Sequence, residues 1–136
     1  MFVEIVSPSG RVFSGEATSV KAPGVEGSFA VLRNHAPMIA AIEIGSLVVT
    51  DVTGNAITFA TSGGFVEVSK NVVTVLAESA ELASKIDVER AQAVEQRAVE
   101  ALSSALDAET KIRMTKALDR ARNRARVSMA AVGKKR

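Results

Sequence analysis

A chain of 136 residues, 47% of them hydrophobic, holds one medium domain or a small domain with an appendage, and is too apolar to be largely disordered. It has no cysteine and a single histidine, which excludes disulfides and thiolate metal sites and argues against a zinc enzyme. The net charge of +2 conceals a division: residues 1–110 carry 7 Lys/Arg against 14 Asp/Glu, a balance of −7, while residues 111–136 carry 10 Lys/Arg against Asp119 alone, a balance of +9. The basic end calls for an acidic partner.

The opening MFVEIVSPSG has neither a basic n-region nor a long apolar h-region, and no window approaches a membrane span, so the chain is expected to be soluble and unprocessed. From Met1 to about Ala83, short apolar runs are divided by Gly, Pro, Asn and Ser. FVEIV is broken by SPSG; SLVVTDV and AITFA flank TGN; GFVEVS and VVTVLAE flank KN. In FVEVS, Phe65, Glu67 and Ser69 alternate with Val66 and Val68, which suits a half-exposed strand. In NVVTVLAE both alternating sets are apolar, which suits a strand buried on both faces. Gly27, Gly45, Gly63 and Gly64 are expected in turns, because neither GxxxxGK[ST] nor GxGxxG surrounds them. Repeated β-branched runs at this spacing predict a β sandwich or flattened barrel over residues 1–83, mainly antiparallel.

From Ser84 there is no proline, and no glycine before Gly133, while alanine becomes frequent. Asp87 is a candidate N-cap, and Ala91, Val94, Ala98, Ala101/Leu102 and Ala105 recur at helical spacing to about Ser104. ALDAET supplies a break with Asp107 as a second N-cap, after which Met114, Leu118, Ala121, Ala125, Met129 and Val132 form a second stripe. Two helices joined by a few residues predict an antiparallel hairpin over residues 84–136. Alanine permits close approach but buries little area, so at about 25 cal/mol per Å² the seam is weaker than a Leu/Ile/Phe seam and suits a hairpin that exchanges between packed and detached states.

No Ser/His/acid triad or paired carboxylates stand out, so no catalytic residue and no metal ligand is assigned. His35, in RNHAP, is expected as a turn residue bonded to local backbone. The arginines of the helical half carry two readings. On one they form a solvated face, with pairs such as Glu100 near Arg97 worth tenths of a kcal/mol. On the other, Arg90 lies near the third helical position, where the helix dipole favours an anion over a cation. Arg90 and Arg97 are seven apart and Arg120 and Arg124 four apart, so each pair shares a helix face, and an antiparallel hairpin lets the two pairs converge. Clustered guanidiniums repel unless an anion lies between them.

Three separated segments, EGSFAVLRNHAPMIAAIEIGSL (Glu26–Leu47), GGFVEVSKNVVTVLAESAE (Gly63–Glu81) and IDVERAQAVEQRA (Ile86–Ala98), together resemble the epsilon subunit of bacterial F-type rotary ATP synthases, the counterpart of the mitochondrial delta subunit. The resemblance covers nearly the whole chain. It implies a β sandwich of about ten strands followed by a two-helix C-terminal domain. It implies a non-catalytic rotor subunit in the central stalk, joining the gamma subunit to the c-ring of a proton- or sodium-driven synthase. Its place is peripheral, on the cytoplasmic face of the bacterial plasma membrane. On this resemblance the helices would be a brake: extended, they would reach the alpha and beta subunits and inhibit ATP hydrolysis; folded on the sandwich, they would permit turnover.

The family further implies a regulatory ATP, not a required cofactor, held by the folded hairpin through an I-D-x-x-R-A motif. That motif stands intact as Ile86, Asp87, Val88, Glu89, Arg90 and Ala91. Glu81, Arg97, Arg120 and Arg124 stand where the family's other nucleotide contacts stand. On this resemblance Asp87 and nearby backbone read the adenine, and Arg90, Arg97, Arg120 and Arg124 take phosphates. His35 and Ser28 match positions that face the c-ring, although Ser28 lacks the acidic group that some relatives have there. The competing expectation is a basic-tailed nucleic-acid-binding adaptor. Against nucleic acid as a partner, the five aromatics are all Phe and none follows Phe65, so the basic half has no stacking groups.

Overall fold

The computed structural model describes residues 1–105 and 107–134, the last four of these by backbone alone. The strands are β1 (Phe2–Ser7), β2 (Gly10–Ala22), β3 (Phe29–Leu32), β4 (Met38–Asp51), β5 (Ala56–Ser69), β6 (Val72–Ala77) and β7 (Ala80–Leu82). The helices are α1 (Val88–Ser103) and α2 (Ala108–Lys134), preceded by a 3-10 turn at Ala83–Lys85.

The sheet runs in the order β1-β6-β5-β4-β2-β3, with β7 beside β5, and the pairing of β1 with β2 closes it into a sandwich. Among the described residues only the β1–β6 pairing is parallel. Closure works because the long strands serve both layers. β2 gives Gly10–Glu16 to β1 and its later residues to β3 and β4. β5 likewise gives Gly64–Ser69 to β6 and Phe59–Thr61 to β7.

That sharing is why the described residues contain seven strands where about ten were expected. Gly45, Gly63 and Gly64, expected in turns, instead lie inside β4 and β5, so apparent breaks are continuous strand. Gly63 and Gly64 have φ of 113° and 137°, and a Cβ on Gly64 would collide with the Leu76 carbonyl oxygen. Close approach of β6 therefore demands glycine there, as at a bulge. Gly27 does occupy a bend, at φ 128°. The Lys70–Asn71 turn between β5 and β6 has both residues at positive φ, 51° and 64°, the two-residue turn whose twist matches its strands.

Alternation fills the sandwich. Val3 and Ile5 of β1, Val66 and Val68 of β5, and Val73 and Val75 of β6 point inward with Val20, Leu47, Val49 and Phe59. Phe13 meets Phe59 edge to face at 5.8 Å. β5 is half exposed as expected, with Phe65, Glu67 and Ser69 outward. β6 departs from expectation: Val72 and Leu76 are 38% and 49% exposed, so its second apolar set faces outward.

In the helical half, the Asp87 side chain accepts from the Arg90 backbone N–H at 3.1 Å and starts α1. Asp107 accepts from the Thr110 N–H at 2.6 Å and starts α2. Ala91, Ala98, Leu118, Ala121 and Ala125 are buried along the seam. The second stripe fails at Met129, which is 57% exposed, while Val127 and Ser128 are buried in its place. Beyond the start of α1 the neighbour of α2 is the turn before it, and the Ser128 hydroxyl donates to the Ile86 carbonyl. The side chain of Val132 lies outside the described residues. A small cluster of Ala60, Ala83, Ile86, Ala91, Ala125 and Val127 joins the hairpin to the sandwich.

Candidate functional site

Most residues of the IDxxRA segment are occupied in building the hairpin. Ile86 and Ala91 are buried in the joining cluster, and the Asp87 carboxylate caps α1. Arg90 is the third residue of α1: its N–H is capped, and its guanidinium is exposed. Arg97 is also exposed, and neither makes an ion pair among the described residues. The expected Arg97–Glu100 pair is absent; Glu100 instead accepts from the Gln96 amide at 3.3 Å.

Glu81 and Arg124 are brought together. The guanidinium donates from Nε and Nη2 to the two carboxylate oxygens, at 2.8 and 3.0 Å, tying α2 to β7. This hydrogen bond, opposed by desolvation and assisted by the charges of Glu81 and Asp87, raises the Arg124 pKa above its ordinary value. Arg120 lies beside them, exposed, lining a small cavity with Glu81, Asn123 and Arg124. The hairpin register follows from Arg122, whose Nε lies 3.3 Å from Glu95 on α1. Glu81, Arg120 and Arg124 thus share a wall of one cavity, while Arg90 and Arg97 are exposed on α1.

Next to that cavity, α2 and the sandwich enclose an open groove of about 740 Å³. Lys116, Arg120 and Arg126 line its helical side, and Glu43, Glu78 and Phe65 its strand side. The side chain of Asn123 lies at its base, 2% exposed, with Nδ2 donating to the Gly45 carbonyl at 2.9 Å and the Thr61 carbonyl at 3.4 Å.

At the β3 end of the sandwich, Ser28 is exposed just before β3 and His35 is exposed just after it. His35 Nδ1 is 2.7 Å from the Ala36 carbonyl, and its N–H donates to the Leu32 carbonyl at 3.2 Å, the local bonding expected of a turn. An apolar row crosses the strands that border the groove. Ala41, Phe65 and Leu76 are register partners on β4, β5 and β6, all exposed, with Ile39 one step away at 74% exposure. Phe65, Leu76 and Ile39 are thus large apolar side chains left in water beside Ala41.

Residues 1–83 match the beta-sandwich domain of the ATP synthase Delta/Epsilon chain, and residues 84–129 match its long alpha-helix domain. The chain belongs to this family. The ATP synthase epsilon chain of Salinibacter ruber is 51% identical over 139 residues, covering 96% of this chain and 93% of that one. That of Nitratidesulfovibrio vulgaris (strain DP4) is 44% identical over 127 residues, covering 93% and 94%. Both relatives are a non-catalytic subunit of their complex. Among solved structures, a chain of the Euglena gracilis mitochondrial ATP synthase, determined with OSCP, F1 and c-ring, superposes with a TM-score of 0.78. It is 21% identical, and the match covers 96% of this chain and 79% of that one. A chain from the central stalk/c-ring of the Tetrahymena thermophila enzyme gives 0.68 at 15% identity, covering 94% and 96%. No helix among the described residues is long and apolar enough to cross a membrane.

Two features of this family member escaped the sequence. Asn123 stands among the arginines of DRARNRA, and its only local signal is that an Asn inside a long helix is a poor helix former. The apolar row is hidden in sequence because β6 reads as apolar on both faces. Its signal, a Leu and a Val on a strand that ends a hairpin, does not distinguish a covered face from an open one.

Proposed function

We propose that the chain is the epsilon subunit in the central stalk of an ion-driven ATP synthase, where the sandwich joins gamma to the c-ring and the hairpin restrains ATP hydrolysis. The observation that carries this reading is the pairing of a self-sufficient sandwich core with a hairpin attached by an Ala-rich seam and a few polar bonds. So small an attachment leaves a modest gap between docked and raised states, which a ligand or partner can tip. The Euglena and Tetrahymena neighbours, seen with their c-rings, support a rotor position. The exposed row of Ile39, Ala41, Phe65 and Leu76 is the face offered to gamma, and the end bearing Ser28 and His35 is the face offered to the c-ring. Raised, the basic face of α2 meets acidic groups on beta, with alpha alongside. This role is peripheral to the membrane, on its cytoplasmic side.

ATP acts as the regulatory ligand that favours the docked hairpin. The residues present fit a polyphosphate in part. Arg90, Arg97 and Arg120 have no carboxylate partner among the described residues and are free to take phosphate oxygens. Arg124 is already neutralised by Glu81, so it contributes only as that pair rearranges. Removal of residues 84–136 should raise ATP hydrolysis by the assembled complex several-fold; unchanged hydrolysis refutes the brake. Calorimetric titration of the isolated chain with MgATP should give saturable heat that Arg90→Ala abolishes. Absence of heat at millimolar nucleotide removes the sensor and leaves the brake intact.

A further inference from the structure

We propose that Asn123 is the positioning residue that sets the register of α2 on the sandwich, an inference that rests on the hairpin being mobile. The geometry uses both ends of its amide. Nδ2 faces the carbonyls of Gly45 and Thr61, 78 and 62 residues away in the chain, and Oδ1 accepts from Arg126 Nη2 at 2.8 Å. Gly45 and Thr61 are register partners on β4 and β5, so the amide closes over a single rung of the sheet. The apolar contact around it cannot set the register alone. Four of its six members, Ala60, Ala83, Ala91 and Ala125, are small and alike and lose little when a helix slides or lifts, which leaves Ile86 and Val127 as its larger contacts.

A slide of one helical turn would put Asp119 or Val127 over the two carbonyls. The first places negative charge against carbonyl oxygens and the second offers no donor, so neither satisfies the rung as Asn123 does. The same register carries Arg120, three residues back, and Arg124, one residue on, to the cavity beside Glu81. Asn123 therefore touches no ligand in this scheme and acts through the arginines it places.

The test uses the full chain, whose lack of cysteine allows clean paired labelling at Lys21→Cys on β2 and Thr115→Cys on α2, both exposed. Distance distributions from spin labels on these sites report the docked fraction. Asn123→Leu should lower the docked-to-detached ratio about tenfold, the weight of a lost hydrogen bond. Asn123→Asp, nearly the same shape, should lower it further because a carboxylate oxygen then faces two carbonyls. An Asn123→Asp chain that keeps the parent distribution overturns the proposal, as does a loss in Asn123→Leu that Asn123→Asp does not share, which would reduce the residue to packing. Among the described residues no α2 side chain belongs to the sandwich core, so strand circular dichroism identifies any variant that fails to fold. If detachment occurs but hydrolysis by the assembled complex stays unchanged, the register role stands and the brake falls.

Discussion

Arg90 shows how one position serves two ends. Its backbone N–H is taken by the Asp87 cap, while its guanidinium projects to solvent beside the positive end of the helix dipole. Asp107 plays the capping part for α2, and bonds from the Thr110 hydroxyl and N–H, with help from Arg113, lower its pKa from the ordinary 3.8. A carboxyl whose folded pKa is depressed stabilises the fold above the unfolded value and loses that contribution as pH falls through the folded one. The Thr110 amide resonance should therefore titrate with a midpoint below 3.8, and Asp107→Asn, still a competent cap, should abolish the titration. Gly64 is constrained from two directions, a φ of 137° and the Leu76 carbonyl where a Cβ would lie. Gly64→Ala should cost about 3 kcal/mol in chemical denaturation, well beyond the ordinary glycine-to-alanine change.

Among the elements, β6 is the one whose outer face changes the functional picture. Val73 and Val75 close the core, while Leu76 continues an exposed row from Ala41 and Phe65. Leu76→Glu should leave the isolated fold within about 1 kcal/mol of the parent, since its side chain is already half in water. On the proposed contact with gamma, the same change should weaken copurification at least tenfold, because it would put a charge into an apolar surface. α2 shows the converse case: its buried stripe shifts from Ala125 to Val127 and Ser128 where α1 begins and the partner surface becomes the turn around Ile86. Helical periodicity follows one neighbour at a time.

The chain as a whole carries two cores of unequal strength. The sandwich has a contiguous set of Val, Ile, Leu and Phe from six strands, while the hairpin is joined through four alanines, Ile86 and Val127. Opening free energies should differ accordingly. Amide hydrogen exchange in α1 and α2 should exceed that of Val3, Val66, Val73 and Val75, with Asn123→Leu accelerating only the helical half. Equal protection throughout would contradict a separately mobile hairpin.

Much of this was legible from local chemistry. The change from twofold to helical periodicity after Ala83, the caps at Asp87 and Asp107, and the turn at Lys70–Asn71 each depend on neighbours a few residues away, so sequence sufficed for them. The three motif segments were enough to name the family. The arginines were legible as charges but not as partners: Glu81 claimed Arg124 from 43 residues away, and Glu95 claimed Arg122 across the hairpin. Continuity of β5 through Gly63 and Gly64, the open face of β6 and the Asn123 contact depend equally on which strand or helix arrives from elsewhere. Spacing along a chain encodes which side of an element is apolar; what covers that side is settled only when distant segments compete for the same surface.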